Sequence, residues 1–352
     1  MTASHRFVLL DGIRGIAALG VVCMHLIHTS TGIPFIFPSS SIAVDIFFCL
    51  SGFVIAWNYY QKLQTNLSVT HYLRKRLIRL YPMFLIGTSI GIVALFLKYF
   101  SGQTTYSLIQ ITKATLLNIL YLPYLNHGQV TVFDLTLKDN IFPTNNPGWS
   151  LFYELIANLL FVFTIKLSKN TLFLITGVMA VLLIWFGLTS LSPPGWKTAY
   201  FLGGFPRVGY SFMVGVLIFK FYEQSKSLPT FHPLILMGGL VLMLQLSAGR
   251  FYQEYWLLSA LIASPLLIWF GTRAVIQNKL LERVLDYLGW LSYPIYCLHI
   301  PIWYLASVAV PNPKNYHIFT IILILTVIVL AHLLGKWVDE PARKFLNKKA
   351  LV

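Results

Sequence analysis

Asp11, Arg14 and His25 stand in a stretch, residues 7–27, that is otherwise apolar or small. At about 100° per residue they share one helix face with positions 18 and 22. Eleven residues separate Arg14 from His25, about 16 Å of helix rise. An imidazole can take a proton from a hydroxyl, and a guanidinium can hold an anionic or carbonyl oxygen. Charged groups at the bilayer centre cost at least ~2.5 kcal/mol each on insertion scales, so residues of this kind mark functional sites by default. The alternatives are a neutralising i,i+3 pair for Asp11 and Arg14, and a hydrogen-bonded interior histidine for His25.

Further along, the chain reads Asn145-Asn146-Pro147-Gly148-Trp149-Ser150-Leu151-Phe152-Tyr153-Glu154. Asn146 as N-cap and Pro147 as first helical residue would start a helix from the outer side. Glu154 then lies about two turns down, at the depth of His25, and the two would make a base and its orienting carboxylate. The competing reading pairs Glu154 with Arg207. Residues 71–82 carry Arg74, Lys75, Arg76 and Arg79, a basic edge suited to lipid contact; Arg76 and Arg79 at i,i+3 also offer a fork for phosphates. Ser51 and Gly52 interrupt a phenylalanine-rich run with small residues, for close helix packing or for admitting a narrow ligand. Tyr293 precedes His299 by six residues in another apolar run, and Asp339-Glu340-Pro341 reads as a helix end.

The elements that position these residues follow from composition. Of 352 residues, 57 % are hydrophobic and 11 % charged, and the mean hydropathy is +0.71. So few charges cannot cover a water-facing surface, which excludes a soluble enzyme and a disordered chain. The sequence predicts an all-α polytopic membrane protein of about ten transmembrane helices, at 7–27, 43–60, 81–100, 147–167, 171–190, 200–221, 231–248, 255–272, 287–308 and 316–337. A shorter run from Leu108 to Leu125 reads as a partly buried or re-entrant piece. Asp11 and Arg14 inside the first run argue against a cleaved signal peptide. With the N-terminus inside, eighteen of the 26 Lys and Arg fall in inner loops and tails and six in outer ones, which places both termini in the cytoplasm. The net charge of +15 thus points to membrane lipid rather than nucleic acid. Cys23, Cys49 and Cys297 sit in apolar runs without metal-ligand or disulfide spacing, so no metal is expected. Residues 1–352 form one domain.

Taken in order, Asp11-Gly12-Ile13-Arg14-Gly15 with His25, Phe47 to Phe53, Arg76-x-x-Arg79-x-x-Pro82, Pro147-x-Trp149-Ser150-Leu151 with Glu154, Arg207 with Phe212 and Gly215, Ser292-Tyr293 to His299, and Glu340-Pro341 resemble the membrane acyltransferase-3 family. The resemblance implies O-acylation of a carbohydrate-type hydroxyl (O-antigen, exopolysaccharide or a lipid-linked sugar) in a bacterial inner membrane, with cytoplasmic acyl-CoA, chiefly acetyl-CoA, as donor. Many members carry an SGNH-type esterase domain after the last span; this chain stops at Val352. On this resemblance His25 and Glu154 are the catalytic pair. Arg14, Arg76, Arg79, Ser51 and Gly52 would serve the donor; Asp11, Trp149, Ser150, Tyr153, Arg207, Tyr293 and His299 would support the acceptor or the site. Direct transfer is the expected route, with an acetyl-histidine intermediate as the other course. A lipid-linked-sugar flippase and an acyltransferase acting on a macrolide are the alternatives.

Overall fold

The structure is a computed structural model that describes residues 6–31, 36–125, 139–222, 224 and 230–349. Every apolar run becomes a helix: α1 (Val8–Thr31), α2 (Ala43–Thr65), α3 (Val69–Phe100), α4 (Leu108–Ile119), α5 (Gly148–Thr164), α6 (Lys169–Thr189), α7 (Gly204–Phe221), α8 (Pro233–Gln245), α9 (Tyr252–Leu258), α10 (Ser264–Gly271), α11 (Lys279–Ala309), α12 (Tyr316–Leu334) and α13 (Glu340–Lys349). A π-helical turn, Ser259–Ala263, joins α9 to α10, and another, Gly335–Asp339, joins α12 to α13. No β-strand forms among the described residues. Short polar residues start the helices by accepting backbone N–H groups: Ser68 on α3, Ser107 on α4, Ser168 on α6, Asn278 on α11 and Asn315 on α12.

Among the described residues, six segments are long and apolar enough to cross a membrane unaided: Val8–His28, Ser40–Thr65, Val69–Phe100, Lys169–Thr189, Gly249–Gly271 and Tyr316–Lys348. The expected ten is therefore not reached on length and composition alone. Helix α8, with 13 residues, spans about 20 Å, against a hydrocarbon core of about 30 Å. Helix α11 opens with Lys279, Glu282, Arg283 and Asp286. The expected re-entrant piece is α4, whose Ile111, Ala114 and Asn118 are buried; Asn118 accepts from Thr144 Oγ1 at 2.8 Å and so ties α4 to the chain entering α5. Asp339 does not end a helix as expected, because the π turn carries the chain straight into α13.

Lipid-facing sides keep large apolar residues exposed, among them Phe100, Leu174, Leu188 and Leu325, so the polar residues are gathered inside. Helices α1 and α3 both run alongside α11 in its own direction. Arg6 reaches Asp286, Arg14 reaches Gly289 and Ser292, and His25 reaches His299; on the other side Arg79 lies by Tyr293, and Gly87 by Cys297. The α1–α11 seam is tight: a Cβ on Gly15 would lie 2.6 Å from the Leu288 carbonyl carbon. Helix α11 thus works as a ruler along which the ionisable residues are spaced.

Candidate active site

Towards the N-terminal end of α11, Arg14 is held by three partners. Its Nη2 donates to Asp11 Oδ1 at 3.0 Å and to the Gly289 carbonyl at 2.8 Å, and its Nε donates to Ser292 Oγ at 3.0 Å. Arg6 donates to the other oxygen of Asp11 at 3.2 Å and to Asp286 at 2.9 Å. The expected Asp11–Arg14 pair is present, inside a larger network that crosses to α11.

Arg76 and Arg79 diverge instead of forming one fork. Arg76 turns inward, donating from Nε to Asn158 Oδ1 at 2.8 Å and from Nη2 to Glu154 Oε1 at 3.1 Å. Tyr72 also donates to Asn158 Oδ1, at 3.0 Å, and Ser51 Oγ donates to Glu154 Oε1 at 2.9 Å. Arg79 lies against α11, its guanidinium 5.4 Å from the centre of the Tyr293 ring, while the Tyr293 hydroxyl donates to the Leu80 carbonyl.

At the far end of the ruler, His25 Nδ1 lies 3.0 Å from His299 Nε2, with the rings nearly parallel at 8°. The opposite nitrogen of His299, Nδ1, is 3.0 Å from the Ile295 carbonyl. A carbonyl only accepts, so His299 Nδ1 carries the hydrogen and its Nε2 is the lone-pair nitrogen. His25 Nδ1 must then be the donor, which leaves the lone pair of His25 on Nε2. The carbonyl thereby sets two tautomers in series. His299 is fully buried, whereas His25 keeps partial exposure. Tyr296 packs its ring 5.9 Å from that of His299 and shares a 2.8 Å hydrogen bond with Ser150 Oγ.

Several expectations are corrected here. Glu154 engages Ser51 and Arg76, and the imidazole that orients His25 is His299. Arg207 does not meet Glu154 either: its Nε and Nη2 clamp both oxygens of Asp45 at 2.8 Å, between the rings of Trp149 and Trp256. Trp149 therefore belongs to this second cluster, as does Tyr153, whose hydroxyl donates to the Phe201 carbonyl at 2.6 Å and whose ring packs on Gly204. Gly52 admits no donor arm, because a Cβ there would lie 2.0 Å from the Phe212 carbonyl oxygen of α7. Asn146 does not cap α5; the helix begins at Gly148 after Pro147. Asp45 and Asn158 were missed, although Asp45 is a carboxylate in an apolar run just as Asp11 is. No group of three or more possible metal ligands occurs among the described residues.

The family profile described as an acyltransferase domain matches residues 7–335. The chain belongs to the acyltransferase-3 family. It is 34 % identical over 189 residues to "Protein 2 in picA locus" of Rhizobium radiobacter, covering 51 % of this chain and 93 % of that protein. It is 30 % identical over 179 residues to "Acyltransferase MdmB" of Streptomyces mycarofaciens, covering 46 % of this chain and 40 % of that one. No solved structure matches. An acyltransferase-3 chain with several helices long and apolar enough to cross a membrane is an integral-membrane acyltransferase.

Proposed function

We propose that the protein transfers an acyl group, acetyl in the first instance, from acyl-CoA to a hydroxyl of a carbohydrate-type acceptor carried by or reaching the membrane. The observation that supports this is the separation along α11 of a guanidinium-rich end from an imidazole pair. Ten residues, about 15 Å of helix, part Gly289, which receives Arg14, from His299, which receives His25. A charged nucleotide left at the basic end and a thin arm reaching the imidazoles would use that distance. The basic end faces the cytoplasm in this reading, in keeping with the excess of Lys and Arg in that set of loops.

In the reaction, His25 Nε2 takes the hydroxyl proton as the acceptor oxygen attacks the thioester carbonyl carbon. The tetrahedral intermediate collapses with cleavage of the carbon–sulfur bond. The thiolate leaves and takes the proton back from His25, so the base is regenerated. His299 is a positioning residue: its hydrogen bonds hold the His25 ring with the lone pair at Nε2. Arg14 marks the basic end of that path, and Ser150 with Tyr296 shapes the wall beside the imidazoles.

The test uses purified protein in nanodiscs with acetyl-CoA and a panel of lipid-linked and free sugars. Release of CoA that depends on an acceptor, with a matching acetyl mass gain on that acceptor, is the expected result. Acceptor movement across the bilayer without CoA release would instead establish a flippase.

A further inference from the structure

A cavity lies one helical turn beyond Arg76, where α3, α11 and the α12–α13 junction meet. It is enclosed by Arg79, Trp290, Pro294, Gly335, Asp339 and Arg343 and measures about 40 Å³. Arg343 Nη2 is 2.7 Å from Asp339 Oδ2. The contact is a close ion pair, and the other carboxylate oxygen, Asp339 Oδ1, has no hydrogen-bond partner among the described residues. Arg343 Nε is likewise buried and unbonded. Asp339 is 1 % exposed. Two guanidiniums and a single carboxylate thus line the cavity, and Asp339 Oδ1 and Arg343 Nε point to no hydrogen-bond partner among the described residues.

We infer that this cavity, with Arg343 of the C-terminal helix as its second cation beside Arg79, binds a phosphomonoester, the 3′-phosphate of the CoA donor, and that Asp339 is the counter-ion which the phosphate replaces. The inference rests on the acyl-CoA reading above. Charge favours it: a phosphomonoester carries roughly −1.5 to −2 at pH 7, which neutralises two arginines where Asp339 neutralises one. Size favours it as well. A water needs about 10–15 Å³ by the same measure, so the cavity holds about three water-sized oxygens, the peripheral oxygens of one phosphate. A nucleobase or a pyrophosphate does not fit. The planar guanidinium suits such an anion, and the Tyr293 face holds that of Arg79 in place. The wall is built for the space, since the π turn brings Gly335 against Trp290 and Pro294, where a Cβ would lie 3.2–3.3 Å from both.

Binding of CoA and of 3′-dephospho-CoA to the full chain, in nanodiscs of zwitterionic lipid so that no lipid phosphomonoester competes, tests the inference. Wild type should prefer CoA by about tenfold or more. Arg343→Gln should lose that preference while binding dephospho-CoA as before, and Arg343→Lys should recover part of it. Asp339→Asn should bind CoA several-fold more tightly, a gain that loss of a purely structural ion pair would not give. A wild-type CoA preference that persists in Arg343→Gln would overturn the inference and leave the donor reading standing. Wild type that binds neither nucleotide would overturn both.

Discussion

Arg207 and Arg14 are both arginines inside helices of a membrane protein, and their surroundings differ in kind. Arg207 is 1 % exposed and Asp45 is fully buried; the pair is bidentate, roofed by two tryptophan rings, and Trp256 Nε1 adds a 2.8 Å hydrogen bond to Asp45. Other donors of Arg207 go to the carbonyls of Pro194 and Ser41. Four of the five N–H groups of Arg207 thus have partners within that cluster. Arg14, with 29 % of its side chain exposed, meets Asp11 through a single nitrogen and shares that carboxylate with Arg6. A buried charge matched on every side is a lock on the fold. One that is shared and partly open can exchange partners, and a site needs that.

The largest expected effect lies at the imidazole end of the ruler. His25→Ala should lower acyl transfer by about 10²- to 10⁴-fold, the usual contribution of a general base, while the thermal unfolding midpoint in detergent stays near that of wild type. Steady-state transfer and fluorescence-monitored unfolding measured on one preparation would decide; a rate loss accompanied by unfolding would move His25 into the company of Arg207.

The lock should respond in the opposite way. Asp45→Ala strands Arg207 and the Trp256 N–H, and removing one partner of a buried pair costs about 3–5 kcal/mol. The outcome should be a lower yield of folded protein and an earlier melt, with partial recovery when Asp45→Leu is combined with Arg207→Met. A well-folded Asp45→Ala protein with no transfer activity would erase the contrast between the two arginines.

A smaller effect separates the two roles that Glu154 can have. Because its carboxylate holds Arg76 and Ser51, Glu154→Gln should raise the KM for acyl-CoA by about tenfold, the worth of one charge-assisted hydrogen bond, and change kcat less. A fall confined to kcat would return Glu154 to His25 as its orienting group.

These contrasts mark how far the sequence could be read. The stripe of Asp11, Arg14 and His25 was legible because helical periodicity fixes which residues share a face. The helices themselves were legible because apolar runs must pair their own backbone groups in lipid. Pairings across helices were not. Glu154 and His25 match in depth, yet depth says nothing about which way a side chain points around its helix axis, and Glu154 faces Arg76 while His25 faces His299. His299 was visible as a histidine in an apolar run, but its partner lies 274 residues away. Asp45 went unread because it has no cation within a helical turn, as Asp11 has in Arg14, and its partner Arg207 lies 162 residues away. The cavity of Arg79 and Arg343 depends on a π turn that no periodicity announces.

The seam between α1 and α11 also sets an order in time. Arg14 finds Gly289 and Ser292 only after 275 further residues have left the ribosome, a wait of about 14–55 s at 5–20 residues per second. Until then its in-sequence partner is Asp11, one turn away on the same helix. That pair lets the first helix enter lipid with its charges matched and keep them matched while α11 and α12 are still being made. When α11 arrives, Arg14 adds the new carbonyl and hydroxyl without releasing the old carboxylate. The nascent chain carries its own chaperone for the most expensive residue of its first helix.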